Sequence, residues 1–188
     1  MVTVTLGALW LPILLSAVLV FFASFLVHMV LRYHASDYNP LPNEDAVRAA
    51  IRAGNPLPRQ YVIPYCANPK DMEKPDIKQK FIEGPVGVLT LKAPMAPSMT
   101  PMLVEWFVFV LVVSLCVGYV ACHTVDHGAA YMDVFGMVGA VGFLAYAAGT
   151  VPAAIWMGKP WSVAVKEIFD GLLYGLVTAA TFGWLWPR

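Results

Sequence analysis

IFDGLLYGLVTAATFGWLW, residues 168–186, carries one acid, Asp170, near its start and no further charge until Arg188. About 20 apolar residues let a helix cross the hydrocarbon core of a bilayer, so this stretch is expected to be a membrane span. Its small residues recur at every fourth position, Gly171, Gly175, Ala179 and Gly183. On a helix they form one shallow groove. In lipid no hydrophobic drive presses two helices together, so close backbone contact along small residues becomes a main source of packing energy. The groove therefore calls for a second helix, and the other apolar segments are its expected partners.

The rest of the chain suits that environment. Hydrophobic residues make up 59% of the 188 and charged residues only 13%, more apolar than a soluble domain of this size needs to be. Twelve Lys and Arg balance twelve Asp and Glu, so the charge gives no reason to expect a nucleic-acid partner. Membrane lipid is the expected surrounding. Other membrane-protein subunits, or further copies of the chain, are the expected partners. The first residues carry no Lys or Arg and the apolar run behind them is far longer than a signal-peptide core. That segment is expected to stay as a span.

The fold class read from this pattern is an all-α membrane protein with four transmembrane helices and a small α+β or irregular extramembrane segment between the first two. The spans are Leu6–Leu31, Met102–Ala121, Met132–Met157 and the stretch quoted above. The chain thus divides into a first transmembrane helix (1–32), a Pro-rich extramembrane segment (33–101) and three further transmembrane helices (102–188). Eleven of the fifteen prolines fall in the middle segment. Within it, Asn43 is expected to cap a helix running through Ala53, with Glu44 and Asp45 in its first turn and Gly54 past its end. Tyr61–Tyr65 and Val86–Leu91 read as short strands, and Asp76–Glu83 as a helix with Pro75 at its first position. The alternative is a proline-rich loop without much regular structure.

Aromatic residues collect at membrane interfaces and give an independent count of the crossings. Trp10, Tyr119, Tyr131, Trp184 and Trp186 fall on one side, and Tyr33, Trp106, Trp156 and Trp161 on the other. Arg32, Lys92, Lys159 and Lys166 flank the spans on one face, against Arg188 alone on the other. Positive charge favours the cytoplasmic side, so both termini are expected outside, with segment 33–101 cytoplasmic in a membrane of the bacterial inner type. Cys66 and Cys122 fall on opposite sides and Cys116 lies within a span, so no intrachain disulfide is expected.

Two groups of residues offer chemistry. Cys122, His123, Asp126 and His127 would share a face if the second helix ran on through them, offering sulfur, nitrogen and oxygen ligands of the kinds zinc or copper accepts. No other cofactor is indicated. An interfacial polar turn is the competing reading. Glu105 and Asp170 lie on one side of the membrane, with His28 and Arg32, four apart on the first span, reaching the same layer. Intramembrane acids raise the idea of an ion or proton pathway through His28, Glu105 and Asp170. Each acid, Asp133 included, is read near the N-terminus of its own span, where unpaired backbone N–H groups favour a carboxylate. A charge-paired cluster that fixes helix register therefore ranks above transport.

In the third span Gly142 and Gly149 are seven apart and provide a face to meet the groove of Gly171, Gly175, Ala179 and Gly183. No nucleophile elbow, phosphate loop, HExxH helix or haem attachment occurs, which leaves no catalytic motif. The reading that results is a structural or accessory subunit of a larger membrane complex. A small transporter using the intramembrane acids, or a metal-binding membrane enzyme, are the alternatives.

Overall fold

The computed structural model describes residues 4–188. Its elements in chain order are α1 (Trp10–Phe25), α2 (Glu44–Ala53), β1 (Gln60–Ile63), α3 (Pro75–Glu83), β2 (Gly87–Thr90), α4 (Thr100–Thr124), α5 (Tyr131–Ala147), α6 (Thr150–Trp156) and α7 (Trp161–Leu185). A 3-10 turn, Leu6–Leu9, leads into α1, and a π-helical stretch, Leu26–Leu31, continues it. The protein is mostly helical. Four helical segments are long and apolar enough to cross a membrane: Leu6–Leu31, Thr100–Thr124, Tyr131–Trp156 and Trp161–Leu185.

One compact unit comprises the chain up to Tyr38, Ser98–Ala154 and Lys159–Arg188. In it α1, α4, α5 and α7 form a ring whose main contacts are α1 with α4, α4 with α5, α5 with α7 and α7 with α1. Facing residues give their directions. Trp106 meets Ser24 and Ser114 meets Ser16, so α4 runs antiparallel to α1. Gly139 faces Ala179 while Ala147 faces Gly171, so α5 and α7 are antiparallel as well. The result is an up-down-up-down four-helix bundle.

The tightest contact is between α5 and α7. A Cβ built at Gly171 would fall 2.7 Å from the Ala147 Cβ, and one at Gly175 would fall 2.8 Å from the Phe143 backbone nitrogen. One at Gly183 would meet the Tyr131 ring at 2.8 Å. Each is closer than real carbon contacts allow, so only the missing side chains let the two backbones meet. Gly142 lies in this contact, opposite Gly175. Gly149 does not: a Cβ there meets nothing within 4 Å. The expected continuous third span is in fact broken between α5 and α6, and Pro152 explains the break. Its ring displaces the carbonyl of Ala148, four residues back, and it offers no N–H in return. Gly149 sits in that break and is turned out of the groove's path.

Other boundaries also depart from the sequence reading. α7 starts at Trp161 rather than Ile168, because its charged first turns find partners: Glu167 accepts from Lys159 at 2.7 and 2.9 Å and from the Thr150 hydroxyl. α4 starts at Thr100, with Pro101 in its first turn, and ends at Thr124 where Val125 turns extended. Asn43 takes a left-handed conformation (φ 56°), and its side chain makes no cap bond.

The second unit holds Asn39–Pro97 and Ile155–Gly158. β1 and β2 pair antiparallel, Gln60 opposite Thr90 and Ile63 opposite Gly87. α2 and α3 fall where the capping and proline signals put them. None of residues 39–97 is buried. Leu57, Tyr65, Ile82 and Val86 are exposed, Ile82 by 77%. The segment thus has regular structure without a core of its own.

Candidate functional site

The site is built where α1 ends. Arg32 adopts a left-handed backbone (φ 52°), which stops the helix and turns the chain into the 3-10 turn Tyr33–Asp37. That reversal lays the His34 ring flat on the His28 ring, with centroids 4.6 Å apart and planes 1° from parallel. From α7, Asp170 reaches the same point, its Oδ2 2.8 Å from His34 Nε2. His34 Nδ1 lies 2.6 Å from Asp37 Oδ2, so one imidazole bridges two carboxylates. Lys166, one turn before Asp170, donates to Asp37 Oδ1 at 2.5 Å, to the Tyr33 carbonyl at 2.8 Å and to Ser36 Oγ at 2.9 Å.

Lys166 pairs with Asp37, and Asp170 has only His34 as a hydrogen-bond partner among the described residues. Asp170 is only 4% exposed, and a buried carboxylate without a paired charge is costly. The Lys166 hydrogen bond, aided by His34 and opposed by burial, holds the Asp37 carboxyl below its ordinary range. Asp170 Oδ1 is buried without any hydrogen-bond partner. His28 sends its Nδ1 to the Ser24 carbonyl at 3.0 Å and lines a cavity of ≈ 740 Å³ whose wall is largely Phe21, Phe25, Met29, Met102 and Trp106.

The sequence placed Asp170 and His28 in one layer, and the structure brings them together with His34. It does not bring Glu105: that residue is exposed and forms no ion pair among the described residues. Neither acid sits in a first turn. α4 begins five residues before Glu105 and α7 nine before Asp170, so helix-end N–H groups explain neither one. Asp133 is in the first turn of α5. Of the basic residues at that layer, Lys166 serves the cluster, while Lys159 is taken by Glu167 and Arg32 makes no ion pair among the described residues.

Of Cys122, His123, Asp126 and His127, the first two meet, with Cys122 Sγ 3.2 Å from His123 Nδ1. Because α4 stops at Thr124, the last two residues leave the helical face. His123 Nδ1 turns back to the Tyr119 carbonyl at 2.7 Å, and Cys122 donates to the same carbonyl at 3.2 Å. Asp126 uses its backbone carbonyl to accept from Trp186 Nε1 at 2.9 Å. These contacts close a turn.

His34 and Asp37 were missed by the sequence reading. They sit just past the apolar run, and only the left-handed turn at Arg32 folds them back. The legible signal for the cluster was the layer that held His28 and Asp170.

Deeper in the bundle, Tyr174 follows Asp170 by one turn and stacks edge-on against Tyr146 and Trp106. Ser16 donates to Ser114 at 3.0 Å, joining α1 to α4. The Tyr146 hydroxyl of α5 is buried beside Ser114 and Thr178. Beyond them Leu9, Val117, Val134, Val138 and Phe182 are fully buried, and Thr178 and Thr181 bond to carbonyls of their own helix. The chain matches no known family model, curated protein or solved structure, so its residues alone carry the functional reading.

Proposed function

We propose that the chain is an integral membrane protein of four transmembrane helices that serves as a structural or accessory subunit of a larger membrane assembly. The observation that carries this reading is the segment 39–97, which has helices and a two-stranded sheet but no buried residue. An isolated pair of strands is marginal in water, and a segment without a core gains stability by burying its apolar side chains against something else. Another subunit is the partner that fits. The bundle itself supports the same view, since beyond Ser16 and Ser114 its core is largely apolar, with Leu9, Val117, Val134, Val138 and Phe182 fully buried. A solid bundle works through its surfaces.

The distribution of Lys and Arg supports an orientation with both termini outside and segment 39–97 in the cytoplasm of a membrane of the bacterial inner type. A second reading, a small transporter, is favoured by the burial of Asp170 beside His34. It ranks lower because a conducting path must continue to the far side.

Gentle detergent extraction from native membranes tests the proposal. The chain should migrate with other subunits in a fixed ratio, and Ile82→Asp should weaken that association while the melting temperature of the purified chain stays the same. A chain that migrates alone and carries ion flux in liposomes contradicts the proposal and favours the transporter.

A further inference from the structure

His28, His34 and Asp170 come from the end of one helix, the turn after it and the interior of another. One ligand atom from each lies within 4.8 Å of the other two. Two imidazoles and a carboxylate form the ligand set that zinc and ferrous iron take where further coordination positions are left open. We propose that His28, His34 and Asp170 form a binding site for a divalent first-row transition-metal ion, with its open positions towards the cavity beside His28. This does not depend on the accessory-subunit reading.

The groups behind the ligands are already in place. A ligating histidine holds its orientation by donating its other ring N–H to a carboxylate or a carbonyl. His28 has the Ser24 carbonyl 3.0 Å from Nδ1; a carbonyl only accepts, so the proton belongs on Nδ1 and the lone pair on Nε2. His34 has the Asp37 carboxylate 2.6 Å from Nδ1, and Lys166 anchors that carboxylate from its far side. Both rings are therefore oriented by groups that would not bind the ion.

Asp170 supplies an independent observation. Its side chain is 6% exposed, and Oδ1 has no hydrogen-bond partner among the described residues. Buried polar atoms are nearly always satisfied, so a carboxylate oxygen left open beside two histidines needs a donor or a cation. A metal ion would be held by His34 Nε2 and Asp170 Oδ2, which already stand 2.8 Å apart. Since an ion lies in the plane of each ring that binds it, the two parallel rings would tilt out of their stack on loading.

His28 is exposed and lines the ≈ 740 Å³ cavity, which leaves a route by which a further ligand reaches the ion. Three protein ligands with an accessible side resemble an open metal centre more than a closed structural one.

The test uses the full chain in detergent, with its affinity tag removed and metal stripped by chelation, titrated with zinc alone and with cobalt(II) alone. One ion should bind per chain, and cobalt should show visible bands of nitrogen and oxygen coordination. His28→Ala should weaken binding by roughly 100-fold or more and leave the metal-free chain folded, because His28 is exposed and its ring meets the Ser24 carbonyl and the His34 ring. His34→Ala and Asp170→Asn should lose binding as well. Asp37→Asn, which removes the group behind His34, should weaken it by about 10–100-fold. A chain with Cys122→Ala, His123→Ala and His127→Ala should bind like the wild type. Wild-type binding no tighter than about 1 mM would overturn the site, as would binding that His28→Ala leaves within a few-fold or that the triple substitution abolishes.

Discussion

Gly142 of α5 and Gly175 of α7 meet so closely that a Cβ on Gly142 would lie 3.3 Å from the Gly175 Cα. The reverse substitution is tighter, because a Cβ on Gly175 meets the Phe143 nitrogen at 2.8 Å and the Gly139 carbonyl at 3.3 Å. Those neighbours are backbone and give way only if the helices separate. Gly175→Ala should therefore destabilise the bundle by about 1–3 kcal/mol, and Gly175→Leu by more. Melting in detergent measures it, and an unchanged midpoint for Gly175→Leu would contradict the tight α5–α7 pairing.

Asp170 and Glu105 should respond differently to neutralisation. Asp170 is buried and bonded to His34, whereas Glu105 is exposed and unpaired among the described residues. Asp170→Asn should lower stability by about 1.5–3 kcal/mol, the range for hydrogen bonds to charged groups. Glu105→Gln should leave the melting temperature where it is. Flux in liposomes that vanishes in either variant without loss of stability would move the transporter reading to first place.

The Tyr174 hydroxyl is buried with no hydrogen-bond partner, next to Asp170. Removing a polar atom that the fold does not satisfy is neutral or favourable, so Tyr174→Phe should leave stability unchanged or raise it by up to about 1 kcal/mol. A clear loss of stability would mean that the hydroxyl has a partner in the folded membrane protein.

These positions also show how far the sequence could be read. The four long apolar runs were legible because a span of about 20 apolar residues has few other uses. The groove at Gly171, Gly175 and Gly183 was legible because a four-residue period of small residues maps directly onto one helix face. Where α7 begins was not, since Lys166 and Glu167 look like the end of a span until Asp37, Lys159 and Thr150 are seen to pair with them. His34 escaped notice for a similar reason. Its place depends on one left-handed residue, Arg32, and a non-glycine residue with positive φ leaves no mark in the sequence. The shared face expected of Cys122 to His127 assumed that the helix runs on, and α4 ends at Thr124.

Orientation can be tested at Cys66, a free cysteine in the segment between the first two long apolar helices. With that segment in the cytoplasm, a membrane-impermeant thiol reagent should label Cys66 only after cells are lysed. Equal labelling in intact cells would reverse the orientation.

Hydrogen exchange over residues 39–97 tests the central claim most directly. A segment with no buried residue should exchange quickly when the purified chain is alone in liposomes, and slowly in native membranes where its partner covers it. Strong protection in native membranes and none in the liposomes is the predicted result. Equal, fast exchange in both would show that nothing covers the segment and would contradict the accessory-subunit account.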